Sequence, residues 1–141
     1  MITRELYLKQ LLNYIDKPII KIITGIRRSG KSTILLLLRD LLLEQGVKEE
    51  QILCVNFESL TFADLNTAER LYGYIASWIR KDTNNYILLD EIQEVKDWEK
   101  CINSLIVDFK VDIYLTGSNS HLLSSELATF LSGRYVQIPI Y

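Results

Sequence analysis

Two short stretches carry residue types that could do chemistry together. Gly25-Ile26-Arg27-Arg28-Ser29-Gly30-Lys31-Ser32 fits G-x-x-x-x-G-K-[ST] at every fixed position, the pattern of a backbone loop that cradles phosphate. Glycines at these two places admit positive φ, which lets successive amide N–H groups turn inward on an anion with no side chain in the way. Lys31 supplies an ammonium for β- and γ-phosphates, and the Ser32 hydroxyl a hard oxygen for Mg²⁺. A helix opening near Lys31 aims its unpaired N–H groups and the positive end of its dipole at the same anion.

The second stretch is Tyr86-Ile87-Leu88-Leu89-Asp90-Glu91. An apolar strand ending in two carboxylates delivers both to one edge of a sheet. Asp90, aimed toward Ser32, can hold Mg²⁺ through its water shell. Glu91 adds a different capability: it can accept a proton from a water lined up on a γ-phosphate, which turns a nucleotide holder into a hydrolase. The plain alternatives are an ordinary Gly/Ser turn for the first stretch and two solvated turn carboxylates for the second. The apolar residues before each stretch, and the leucine-rich segment after the first, weigh against both.

These groups need a scaffold, and the composition supplies one. With 141 residues, 48% apolar and 24% charged, the chain can bury one core and is one domain by length. Sixteen basic residues against eighteen acidic leave a net charge of −2, so no overall positive field marks nucleic acid or an anionic membrane as partner. The apolar runs fall short of the roughly 18 residues of a membrane span, and Met1 leads into Thr3-Arg4-Glu5 instead of a signal peptide. A cytoplasmic location is the expectation. Cys54 lies in an apolar run and Cys101 on the apolar face of an expected helix, so both read as reduced core residues. The single His121 has no company for a metal site and reads as a surface or capping residue.

Hydrophobic spacing predicts a helix over 3–14, a strand over 18–24 and, after the loop, a largely buried helix over 33–44 with seven leucines, stopping at Gly46. Residues 52–58 read as a strand, 66–81 as an amphipathic helix, and 86–91 as a strand. Trp98, Cys101, Ile102, Leu105, Ile106 and Phe109 mark one helix face, 112–116 a further strand, 120–131 a fourth crossover helix closed by Gly133, and 134–140 a fifth strand. Strands alternating with crossover helices imply a parallel sheet covered on both faces, with ligands at the carboxyl ends of its strands. Polar residues gather there: the loop, Asn56 and Glu58, Asp90 and Glu91, and Thr116 to Asn119. Tyr7, on the helix before the first strand, is open to two readings, stacking on a base or packing on the sheet.

G-I-R-R-S-G-K-S-T, L-L-D-E-I-Q-E-V-K-D-W, L-T-G-S-N-S and L-S-G-R-Y together resemble the P-loop ATPases with a catalytic glutamate, within them the AAA+ type and its prokaryotic ATP-binding members with a GxRRxGKS loop. The resemblance covers nearly the whole chain. It implies a three-layer α/β/α sandwich around a parallel sheet in order 5-1-4-3-2, Gly25 to Thr33 on the phosphates of ATP, Ser32 and Asp90 on Mg²⁺, and Glu91 as base. It also implies that Asn119, or Thr116 or Ser118 nearby, touches the γ-phosphate or attacking water; a helix cap is the competing reading. Asn56 is similar to the residue that in such proteins holds the glutamate inactive until a partner binds. Arg134 stands where a subunit commonly offers an arginine to its neighbour's nucleotide, implying a homo-oligomer, with an exposed strand-start arginine as the alternative. Arg27 and Arg28 contact phosphate or a partner, or are solvated loop charges. Residues 1–141 are expected to be an AAA-type ATP-binding domain, the N-terminal part of a longer protein with a C-terminal region beyond it.

Three function classes compete on this reading. An ATPase driving conformational change in attached domains comes first. A nucleotide-dependent switch or scaffold with little turnover comes second, and a small-molecule kinase third, because Asp90-Glu91 suits water activation and no acceptor pocket is evident.

Overall fold

A computed structural model describes residues 2–25, 30–118 and 134–140, residues 2–4 by backbone alone. Helix α1 spans Ile2–Leu12, strand β1 Ile20–Thr24, α2 Lys31–Glu44, β2 Ile52–Asn56, α3 Ala68–Trp78, β3 Asn85–Asp90, α4 Trp98–Asp108, β4 Val111–Gly117 and β5 Tyr135–Pro139. The strands form one parallel sheet in order β2-β3-β4-β1-β5, the expected 5-1-4-3-2 arrangement. The expected helix over 120–131, with His121, Asn119 and Gly133, lies outside the described residues, as do Ile26, Arg27, Arg28 and Ser29.

Side-chain parity decides what each strand offers to each layer. Ile87 and Leu89 of β3, Ile113 and Leu115 of β4, and Ile20 and Ile22 of β1 meet Leu71 and Ile75 of α3 and Trp98, Ile102 and Leu105 of α4. The other parity, Tyr86 and Leu88, Tyr114, and Ile23, packs on Ile34, Leu35, Leu38 and Leu42 of α2 and on Tyr7 and Leu11 of α1. Tyr7 is thus a packing residue, buried in this second cluster. The core clusters on both faces explain why β1, β3 and β4 read as continuous apolar runs.

Element ends follow local polar chemistry. Helix α2 closes at Gly46, whose φ of 95° lets Val47 N–H reach Leu42 O at 3.0 Å and Gly46 N–H reach Leu43 O at 3.1 Å, the Schellman arrangement. Thr67 caps α3, its hydroxyl accepting from Arg70 N–H. That helix stops at Trp78, short of the expected 81, because the Asn85 amide takes over Arg80: Arg80 N–H donates to Asn85 Oδ1 at 3.1 Å and Asn85 Nδ2 donates to Arg80 O at 2.8 Å.

Two expectations are corrected by β2 being an edge strand. Cys54 is exposed, because residues 54 and 56 project from a face of β2 that α2 does not fully cover. Only Cys101 is a core thiol, and burial, then the charge of Glu69, pushes it up to about 12. Helix α2 is amphipathic instead of largely buried, with Leu36 at 61% exposure beside the same uncovered face.

Candidate functional site

The parity that buries Tyr86 and Leu88 against α2 places Asp90, two residues further, on that same side at the carboxyl end of β3. The amino end of α2 begins there with Lys31 and Ser32. Ser32 Oγ consequently donates to Asp90 Oδ2 at 2.5 Å, across 58 residues of sequence. Thr116 shares the parity of Asp112 and Tyr114 on the adjacent β4. Fully buried, it donates its hydroxyl to Asp90 Oδ1 and accepts Glu91 N–H at 2.9 Å. One hydroxyl therefore fixes both the Asp90 carboxylate and the Glu91 backbone.

Gly30 caps α2 in the left-handed region, φ 96° and ψ 12°, as the loop motif demands. An added Cβ would meet nothing within 4 Å, so glycine is needed there for its backbone conformation and not for space. Lys31, only 3% exposed, donates Nζ–H to Gly25 O at 2.8 Å and stands 3.9 Å from Glu91 Oε2. Glu91 is itself left-handed, with φ 61°. This conformation costs a non-glycine residue about 1–2 kcal/mol, and such outliers gather at functional sites. A single 3₁₀ turn over Ile92–Glu94 then folds Gln93 back, so that its Nε2 donates to Glu91 Oε1 at 2.5 Å.

Of the expected site residues, the structure brings together Gly25, Gly30, Lys31, Ser32, Asp90, Glu91 and Thr116. Thr33 follows on the first turn of α2, half-buried, and Ser118 lies just past β4. Asn56 pairs with Asp90 in register, but its side-chain oxygen accepts Glu58 N–H at 2.9 Å and closes its own turn. Arg134 is exposed at the start of β5, level with the start of β1, where its carbonyl accepts Ile20 N–H and its guanidinium donates to Asn103 Oδ1 at 3.3 Å. In a parallel sheet that is the end opposite the loop of its own chain. Sequence reasoning missed Gln93; the signal was its place two residues past Glu91.

The donor set fits Mg²⁺. A hydroxyl and a carboxylate oxygen already stand adjacent, both hard ligands, and Mg²⁺ keeps most of its shell as water and phosphate oxygens. Among the described residues no group of three His, Cys, Asp or Glu side chains could hold a metal, which leaves this two-oxygen type of site. A cleft of about 320 Å³ opens beside it, lined by Ser32, Asp90, Leu35, Leu36, Cys54 and Phe62 among others. Among the described residues no helix is long and apolar enough to cross a membrane.

Residues 17–141 match the family model described as AAA domain. An uncharacterised protein of Haemophilus influenzae is 49% identical over 142 residues, an alignment covering all of this chain and 36% of that protein; the chain thus spans about a third of that relative's length. Among solved structures, a DNA polymerase III gamma subunit-related protein from Thermotoga maritima superposes with a TM-score of 0.68 at 14% identity, over 96% of this chain and 46% of that one. AMPPCP-bound DnaA from Aquifex aeolicus gives 0.55 at 15% identity, over 100% and 47%. At these identities the structural likeness concerns the fold, while the match over residues 17–141 concerns the sequence itself. By that match the chain belongs to the AAA domain family, and its sheet order and superpositions give it the P-loop NTPase fold.

Proposed function

We propose that this chain binds MgATP and hydrolyses it, converting binding and turnover into a conformational change in attached domains of a longer protein. The observation that carries the reading is the joining of Lys31 and Ser32 at the head of α2 to Asp90 and Glu91 at the tip of β3, through Ser32–Asp90, Thr116–Asp90 and Lys31–Glu91 contacts. In this reading the amides of residues 25–33 and Lys31 hold the β- and γ-phosphates, as helix termini and lysines do. Ser32 and Asp90 hold Mg²⁺, which neutralises charge on the phosphate oxygens when bound. Glu91 takes the proton of the attacking water. Family membership, together with the lack of a guanine-reading N/T-K-x-D tetrapeptide in the sequence, favours ATP over GTP. DnaA from Aquifex aeolicus, with the same fold, binds AMPPCP.

Glu91→Gln in the full-length protein is expected to keep ATP affinity while lowering phosphate release at least about tenfold, a barrier rise of about 1.4 kcal/mol. Unchanged turnover would favour the nucleotide-dependent switch instead. Arg134, placed at the far end of the sheet from its own loop, would serve only a neighbouring subunit. Turnover per chain is then expected to rise with protein concentration, and Arg134→Ala to flatten that rise.

A further inference from the structure

The residue that resembles the restraint on the glutamate, Asn56, is turned into its own loop, whereas a residue with no role so far grips Glu91 directly. Gln93 Nε2 donates to Glu91 Oε1 at 2.5 Å. Its other amide atom, Oε1, is buried and accepts no hydrogen bond among the described residues. Reversing the amide would not cure this, because it would set the carbonyl oxygen of Gln93 against the carboxylate, acceptor facing acceptor. A glutamine kept only to fill space is expected to satisfy both ends. One that leaves a buried acceptor open beside a catalytic carboxylate calls for a functional account.

The two oxygens of Glu91 are held differently. Oε1 lies with Gln93 in the same short turn, while Oε2 faces Lys31 Nζ at 3.9 Å. Lys31 is the group that a triphosphate recruits, so nucleotide binding draws away the neighbour of Oε2 and leaves Oε1 where it is. The outcome is a carboxylate anchored by one oxygen and free at the other, the geometry of a base oriented by a third group.

We propose that Gln93 is the positioning residue for Glu91: it holds Oε1 so that Oε2 alone faces the water to be activated. This rests on the reading of Glu91 as base. The orientation is needed in the transition state and not for holding nucleotide, so its loss falls on kcat and leaves affinity alone.

The test uses the full-length protein, with phosphate release for kcat and KM and a fluorescent ATP analogue for affinity. Gln93→Leu and Gln93→Met remove the donor at similar volume, and two variants guard against one failing to fold. Each is expected to lower kcat about tenfold with affinity within about twofold. In a Glu91→Gln background the same changes are expected to lower turnover by less than about twofold further, since a residue acting through Glu91 has nothing left to position. Unchanged kcat in both variants, or an equal loss with and without Glu91, overturns the proposal. If Glu91→Gln itself leaves turnover intact, or the wild type shows none, the underlying reading falls and this one with it. A loss in Glu91→Gln without a loss in the Gln93 variants removes only the role of Gln93.

Discussion

Thr116→Val tests how the site is held together. The substitution exchanges a hydroxyl for a methyl at a fully buried position, so shape is kept and no cavity forms. Two bonds vanish: the one Thr116 donates to Asp90 Oδ1 and the one it accepts from Glu91 N–H. A hydrogen bond to a carboxylate is worth about 1.5–3 kcal/mol, and a buried N–H left unpaired costs about 1–3 kcal/mol. One hydroxyl makes both, so the terms do not simply add, and a loss of about 3 kcal/mol is expected. Thr116→Ser keeps the hydroxyl and forfeits one methyl, about 1 kcal/mol. Urea unfolding of the two variants beside the wild type, with equal m-values, measures the difference. A Val variant within about 0.5 kcal/mol of wild type, or indistinguishable from the Ser variant, would refute the claim that this hydroxyl clamps the carboxyl ends of β3 and β4.

Three other perturbations probe the frame around the site. Lys21 is fully buried and its ammonium bonds Asp112 and Lys17 O, with burial pulling it below its usual range against the pull of Asp112; Lys21→Met is expected to cost about 3 kcal/mol in urea unfolding by stranding a buried carboxylate. Adding Asp112→Asn should recover most of that, and no recovery would place the cost in packing instead. Burial holds the Cys101 thiol up to about 12, and burial with Asp16 does the same for the Tyr86 hydroxyl. Both are raised above their unfolded values, so their contribution is full at lower pH and is lost as pH rises toward about 12, from about pH 9 for Cys101 and about pH 10 for Tyr86, at about 1.4 kcal/mol per pH unit for each group. The melting temperature should therefore fall between about pH 9 and 12, and Cys101→Ala should make the fall shallower; an unaltered slope would count against a buried neutral thiol. Gly30→Ala meets no steric obstacle but must adopt φ 96°. A loss of about 1–2 kcal/mol in stability is expected, and a stabilised variant would show the loop adopts another backbone.

What could be read in the sequence was whatever periodicity and short-range spacing encode. β3 was legible because four successive apolar residues, 86–89, lead to Asp90 in a strand that is buried along its whole length, and the side of the sheet Asp90 would face follows from counting by two from Leu88. The Ser32–Asp90 contact is therefore a consequence of parity plus the βα order. Cys54 failed for the complementary reason: an apolar run looks the same on a central and an edge strand, and only the pairing order tells that β2 is last. The left-handed Glu91 was hidden because that conformation is ordinary for Gly, Asn and Asp but carries no signal at glutamate. Thr116 stood as one of three alternatives because Thr116, Ser118 and Asn119 all cluster around the expected carboxyl end of the same strand. The register that sets β4 beside β3 is what brings Thr116 to Asp90.

The two carboxylates on the α2 side of the central strands show how one surface can be built for rigidity at one end and for binding at the other. Asp112, at the amino end, takes the Lys21 ammonium, the Tyr114 hydroxyl at 2.7 Å and the Asp16 backbone N–H at 2.9 Å. Tyr86 in turn donates to Asp16 at 2.8 Å, which ties the turn before β1 to β3 and β4. With a cation and two further donors in place, that carboxylate has little left to offer a ligand. Asp90, at the carboxyl end, is 7% exposed and takes two hydroxyls, from Ser32 and Thr116, and among the described residues no cation pairs with it. A buried carboxylate ordinarily gains its compensation from an opposite charge. Hydroxyls orient Asp90 but bring it no positive charge, which is the arrangement the proposed Mg²⁺ site at Ser32 and Asp90 requires. The Lys21 pair meanwhile holds the opposite end of the same strands in register, and the strain at Glu91 is borne by a sheet fixed elsewhere.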